Sequence, residues 1–209
     1  GLSNTTGTNN TFIGQNSGNL NTTGANNTFI GQSAGQSNTT AGFNTFVGKD
    51  AGSANTTGDS NTFVGNSSGL ASTTGNSNTF IGLSSGISNT TGSENTFVGR
   101  LAGQQNTTAN SNTYIGSSAG LIGTTGDQNV FVGYEAGRNN ITGSMNTFLG
   151  YQAGLNTSAN ANTFLGQLSG EANTTGTDNT FAGAESGKAN LTGEGLSLIH
   201  ISEPTRPLY

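Results

Sequence analysis

Asn21-Thr22-Thr23-Gly24-Ala25-Asn26-Asn27-Thr28-Phe29-Ile30-Gly31-Gln32-Ser33-Ala34-Gly35-Gln36-Ser37 is followed, from Asn38 onward, by the same pattern again. Units of this kind open at Asn4, Asn21, Asn38, Asn55, Ser72, Asn89, Asn106, Gly123, Asn140, Asn156 and Asn173, with a partial twelfth at Asn190; they are spaced 17 residues apart, with one step of 16. The consensus is N-T-T-G-x-x-N-T-F-(I/V)-G-x-x-(A/S)-G-x-x. The short step is read as a deletion in the variable last positions, between Gly154 and Asn156, which would make those positions a loop. Columns are named below by their residue in the quoted unit.

A fixed period of this length is the mark of a stacked array, in which each unit covers the apolar groups of the next. It explains an otherwise contradictory composition. With 29% apolar and 7% charged residues and 35 glycines among 209, composition alone points to disorder. The order of the residues points to a parallel β-solenoid, all-β, of eleven coils of about 17 residues.

The Phe29 column is aromatic throughout: Phe12, Phe29, Phe46, Phe63, Phe80, Phe97, Tyr114, Phe131, Phe148, Phe164 and Phe181. It reads as a structural aromatic ladder. Beside it run Ile13, Ile30, Val47, Val64, Ile81, Val98, Ile115, Val132, Leu149 and Leu165, then Ala182, mostly β-branched as strands favour. Neighbours in a regular strand face opposite ways, so one of the two columns lies inside the coil and the other outside. A bulge would instead turn both inward. An outside column would be a continuous apolar stripe, which single soluble chains rarely display. It is therefore the candidate oligomer face, and a homotrimer is expected.

Asparagine precedes Thr-Phe at Asn10, Asn27, Asn44, Asn61, Asn78, Asn95, Asn112, Asn129, Asn146, Asn162 and Asn179. An amide both donates and accepts, so this column reads as an inward Asn ladder that caps backbone groups at a turn. Glycine fills the Gly31 column in every unit, and a second glycine column from Gly18 to Gly187 follows Ala or Ser; positive φ or close backbone approach is expected at both. The Gly24 column admits Ala41, Ala109 and Ala159 and is less demanding. Two or three corners per coil follow. Of the paired threonines, the first gives way to Ile141 and Leu191 and is assigned to packing, and the second is assigned a need for its hydroxyl.

The functional classes narrow by exclusion. Net charge is −5, and Lys49, Arg100, Arg138, Lys188 and Arg206 are scattered singly, so no basic stripe exists for nucleic acid. No apolar run reaches the length of a membrane span, and there is no cysteine for disulfides or thiolate sites. The repeats hold no His, so neither a Ser-His-Asp triad nor the usual zinc ligand set can be assembled. Asp50, Asp59, Glu94, Asp127, Glu135, Glu171, Asp178, Glu185 and Glu194 fall in variable columns and read as solubilising charges. No enzyme activity, metal or cofactor is expected. Asn-Thr-Thr formally matches a glycosylation acceptor, but its recurrence is assigned to turn chemistry.

The repeat motif stops near Gly195. The segment 196–209, which contains the only histidine, His200, resembles the translated sequencing-adapter peptide that ends many assembled environmental fragments; it is expected to be non-native and disordered. The domain is thus 1–195, read as truncated at both ends.

The core Asn27-Thr28-Phe29-Ile30-Gly31, with Ala34-Gly35 at its corner, resembles the head repeats of trimeric autotransporter adhesins, and similar repeats occur in bacterial surface proteins and phage-type tail fibres. The resemblance covers residues 4 to about 195. It implies left-handed parallel β-rolls wound as trimers on the outer surface of Gram-negative bacteria, hence an extracellular adhesive or structural module with a host, matrix or cell-surface ligand. Here the unit is longer, and Phe stands where that family carries a smaller aliphatic. The alternative is an ice-binding or other crystal-surface-binding solenoid, motivated by regular threonines such as Thr6, Thr23, Thr40, Thr57, Thr74, Thr91, Thr108 and Thr125.

Overall fold

Thr28-Phe29-Ile30 combines three strong strand formers, and Gly31 ends the strand at once. Gly31 has φ +136°, and a Cβ there would overlap the Gly48 carbonyl of the next coil. In the computed structural model, which describes residues 1–199, the chain accordingly forms three-residue strands from β1 (Thr11–Ile13) to β12 (Ser197–Ile199). They pair in sequence order as one twelve-stranded parallel sheet. The molecule is an all-β parallel β-solenoid of about eleven turns, with no helix among the described residues.

Register is strict. Phe29 pairs with Phe12 and Phe46, and Ile30 with Ile13 and Val47. The rings of Phe29 through Phe148 stack at 4.8 Å, tilted by only 4–8°, the spacing of neighbouring strands. Successive coils are therefore superposed with little rotation. Phe29 to Phe181 are buried and form one continuous core with the Ala34 column, with Phe12 packed on it from the first coil. The ring also sets the opposite corner: Gly35 has φ +56°, and a Cβ there would lie 2.5 Å from Phe29 Cδ2 and Cε2. Where serine replaces alanine before this glycine, its hydroxyl is used, as when Ser68 Oγ donates to Phe80 O at 2.9 Å.

Two asparagine ladders flank the rings. Asn27 clips its coil to the next: its Nδ2 donates to Ala41 O (2.8 Å), and its Oδ1 accepts the Asn44 N–H (3.0 Å). The second ladder is the Asn21 column, whose role its interruptions at Ser72 and Gly123 hide in the sequence. Asn38 Nδ2 donates to Asn21 Oδ1 (2.7 Å) and also to Ala41 O (3.1 Å). Both ladders thus converge on the same inward carbonyl, repeated at Gly58 (from Asn44 and Asn55) and Gly92 (from Asn78 and Asn89). Burial of Asn21, Asn38, Asn55, Asn89, Asn106, Asn140 and Asn173 also removes those side chains from any glycan acceptor role.

The structure corrects three readings. Corners are more numerous than two or three per coil: besides the glycines, the Asn26 and Ser33 columns hold 22 non-glycine residues at φ 51–60°, including Phe43 and Leu101. None of these residues is β-branched, because a branched Cβ is badly strained there. The short step does not lie between Gly154 and Asn156. Thr157 is buried in the Asn21 column, its N–H donating to Gly154 O as the Asn140 N–H does to Gly137 O, and Ala159 O receives Asn146 Nδ2. The residue missing is the second threonine of the pair. Finally, pairing continues past 195: Ser197, Leu198 and Ile199 align with Thr180, Phe181 and Ala182, placing Leu198 in the aromatic column. Residues 200–209, including His200, lie outside the described residues.

Where the Asn21 column is interrupted, buried polar atoms lose their partners. Asn55 Oδ1 and Ser72 Oγ are unpaired at one break, and Asn140 Nδ2 and Thr157 Oγ1 at others. Gly123 is a different case. A Cβ on it would lie 3.6 Å from Tyr114 Oη, so the only hydroxyl in the aromatic ladder occupies the room of the missing asparagine. Burial pushes that phenol above its usual pKa, and a hydrogen bond with Asn129 works in the opposite direction. Ser72→Asn should therefore stabilise the chain by about 1–2 kcal/mol, by pairing Asn55 Oδ1 and removing the orphaned Ser72 hydroxyl. Gly123→Asn should help only together with Tyr114→Phe. Urea denaturation of the single variants and of the Tyr114/Gly123 cycle checks both, and a lower midpoint for Ser72→Asn contradicts the ladder.

Candidate interaction surface

With rings, amides and small corners filling the interior, function falls to the outward columns. Across strands β2 (Thr28–Ile30) to β11 (Thr180–Ala182) the central ring is buried and its neighbours are not: Ile30 is 37%, Ile115 40% and Leu149 49% exposed. The strand is thus regular, without the bulge, and the aliphatic column is the outer one. It runs along one face of the sheet from Ile13 to Leu165, accompanied two residues earlier by the half-buried threonines of the Thr28 column. Val130 stands in that threonine column and is itself 40% exposed, so the stripe is widest where Val130 lies beside Leu149, 49% exposed.

The threonine pair behaves opposite to the roles assigned from sequence. The first threonine uses its hydroxyl: Thr22 Oγ1 donates to Thr39 O (3.0 Å), Thr39 to Thr56 O (3.0 Å) and Thr90 to Thr107 O (2.9 Å). The second, Thr23 and its equivalents such as Thr40, Thr57, Thr74 and Thr91, is exposed. No side-chain hydrogen bond explains its recurrence. Ile141 in the first position leaves its carbonyl in place to accept the Thr124 hydroxyl (3.2 Å), so one lost donor does not break the line.

Two acidic residues are structural as well as charged. Asp59 Oδ1 accepts the Gly42 N–H and Asp127 Oδ1 the Asn110 N–H, each at 2.6 Å, within a ladder that Asn76, Ser93, Ser144 and Asn160 continue. The Ala25 column is therefore a third capping line rather than a set of free charges. Four of the other carboxylates form surface pairs, Asp50 with Lys49 (2.9 Å), Glu135 with Arg138 (3.7 Å), and Glu185 and Glu171 with Lys188 (3.3 and 3.9 Å), whose contribution to stability is small.

No cluster of three or more His, Cys, Asp or Glu side chains suited to a metal ion is found among the described residues. The shallow groove of about 440 Å³ beside Ser88, Gln104, Gln105, Thr107 and Thr124 is lined by amides and hydroxyls, with neither a base to activate a hydroxyl nor a charged group to hold an ionic substrate.

Fold and surface together define the class: a β-solenoid repeat protein with a uniform interior and both uniform and variable outer columns. No protein-family model, curated protein or solved structure matches the chain. The hydroxyl assignment has a direct check. Thr90→Val should cost about 1 kcal/mol by removing a bond to the next coil, and Thr91→Val should stay within about 0.5 kcal/mol of the parent. Equal urea midpoints for the two variants would contradict it.

Proposed function

We propose that the chain is a non-catalytic structural or adhesive module, a segment of an extracellular fibre or adhesin head, in which three rods associate along their aliphatic columns. The observation that carries this reading is the outer Ile30 column. It recurs coil after coil, yet it faces away from the chain's own core. A column that repeats outside without an interior role fits a partner with the same spacing, and another copy of this rod has that spacing by construction. Cyclic closure buries the stripe on every copy at once and avoids open-ended growth. Three is the number implied by the resemblance to adhesin head repeats, and so is a bacterial surface location. The variable columns would then remain for a host, matrix or cell-surface ligand.

Sedimentation equilibrium of the chain at micromolar concentration tests this reading. The parent should behave as a trimer, and Val98→Asp should dissociate it while retaining the circular dichroism of the folded rod. A monomeric parent, or a Val98→Asp variant as unstable as Phe97→Ala, contradicts it.

One observation favours a second reading, attachment to a crystalline surface such as ice. The second threonines are exposed, lack side-chain partners and recur in every coil but the short one, as a lattice contact would require. Thermal hysteresis that disappears on replacing Thr74, Thr91 and Thr108 by Lys would establish it, and its absence from the parent removes it.

A further inference from the structure

The Gln32 column follows the Gly31 turn, outside the aliphatic stripe, and its residues differ from coil to coil. Arg100, Ser117, Tyr134 and Tyr151 occupy it in four successive coils. Their backbones are held in register: the Ser118 N–H donates to Arg100 O (2.9 Å), Glu135 N–H to Ser117 O (3.0 Å) and Gln152 N–H to Tyr134 O (2.9 Å). Tyr134 and Tyr151 stack with centroids 5.5 Å apart and planes 11° from parallel. They are 48% and 47% exposed, so the stack stands at the surface. The Gln152 amide donates to Glu135 Oε2 (2.7 Å) beside it and ties the two coils together.

Tyr151 covers one face of Tyr134. The other face is turned along the axis toward the coil of Ser117, whose side chain is too small to cover a ring. One coil further stands Arg100, the one basic side chain among the described residues that makes no ion pair. The coils of Arg100 and Tyr134 are thus separated by two rises of 4.8 Å. A flat group entering above Ser117 would lie one rise from each, the spacing at which the interior rings already stack.

Both walls favour a π system. A guanidinium stacks on the electron-rich face of an aromatic ring, and a tyrosine takes a second ring in offset stacking. A pyranose could lie on the tyrosine but offers no π cloud to the arginine. The free positive charge of Arg100 adds a preference for negative charge next to the ring. We propose that the step at Ser117 receives one aromatic side chain from an acidic segment of a partner polypeptide, sandwiched between Arg100 and Tyr134. This inference does not rest on association of the rods, because its test and the sedimentation test read different residues.

The test is an NMR titration of the intact chain with acetylated Asp-Trp-Asp tripeptide amide, following the Tyr134 ring protons and the Ser117 amide. Saturable upfield shifts at both are expected. Ser117→Tyr, which fills the step with the chain's own ring, should weaken binding by about ten-fold or more, and Arg100→Ala by roughly three- to ten-fold. Asp-Ala-Asp and methyl glucoside should leave Tyr134 unshifted. The proposal is overturned if Ser117→Tyr binds as well as the parent, if Asp-Ala-Asp binds equally and charge alone is at work, if the glucoside gives the larger shifts, or if Tyr134 does not respond to the tryptophan peptide at about 10 mM.

Discussion

A coil of 17 residues encloses little more than one aromatic ring, and the backbone that turns around so small a core must point some of its carbonyls and N–H groups inward. Buried without partners, such groups are costly. The solution is the pair of asparagine ladders. Asn27 takes a carbonyl and an N–H from the neighbouring coil, as the rest of its column does except Asn162, whose Nδ2 turns to Asn160 O, and the Asn21 column meets the same carbonyl from its own coil. Every coil can satisfy these groups only if the next presents the same atoms one rise away. The uniformity of the interior is a consequence of this requirement. Where an asparagine is missing, either orphaned atoms remain, as at Asn55 and Ser72, or another group moves into the space, as Tyr114 does opposite Gly123.

This requirement decided what could be read from the sequence. The aromatic and glycine columns were legible because their residues are uniform and their causes are local: ring stacking, a strand end that overlaps the next carbonyl if a Cβ is added, and a corner pressed against the ring. The Asn26 and Ser33 columns were not, since asparagine, serine, glutamate, leucine and phenylalanine all adopt their positive φ; the trace in the sequence is the exclusion of Thr, Val and Ile, which abound elsewhere in the chain. The phase of the short coil is hidden in the sequence because Asn156-Thr157-Ser158 imitates the opening of a unit, although burial places Thr157 where asparagine normally stands.

The threonine pair carries the most general lesson. Uniformity suggests a needed hydroxyl and tolerance suggests packing, and the structure reverses both. The first threonine bonds to the next coil, yet a single Ile141 is tolerated because the acceptor is a carbonyl that any residue supplies. The second is threonine wherever it occurs, absent only from the short coil, and outward. In a solenoid, regularity of a column therefore does not by itself indicate an interior, and the regular outer columns of Thr23 and Ile30 are where a partner or surface of matching spacing is to be sought. The irregular outer columns are where a local site such as the step at Ser117 can arise.

The central claim is that the chain is held by matched interior atoms from coil to coil, so that a coil can be removed only as a complete period. Excising residues 89–105 joins Ser88 to Asn106 and restores every column, whereas excising 89–96 brings unlike columns together. Urea unfolding followed by circular dichroism compares the two. The account predicts a single cooperative transition with a slightly lower midpoint for the 17-residue deletion, as the loss of one nearest-neighbour interface requires, and loss of the cooperative transition for the eight-residue deletion. Equal tolerance of both deletions, or unfolding caused by the full-period one, would contradict it.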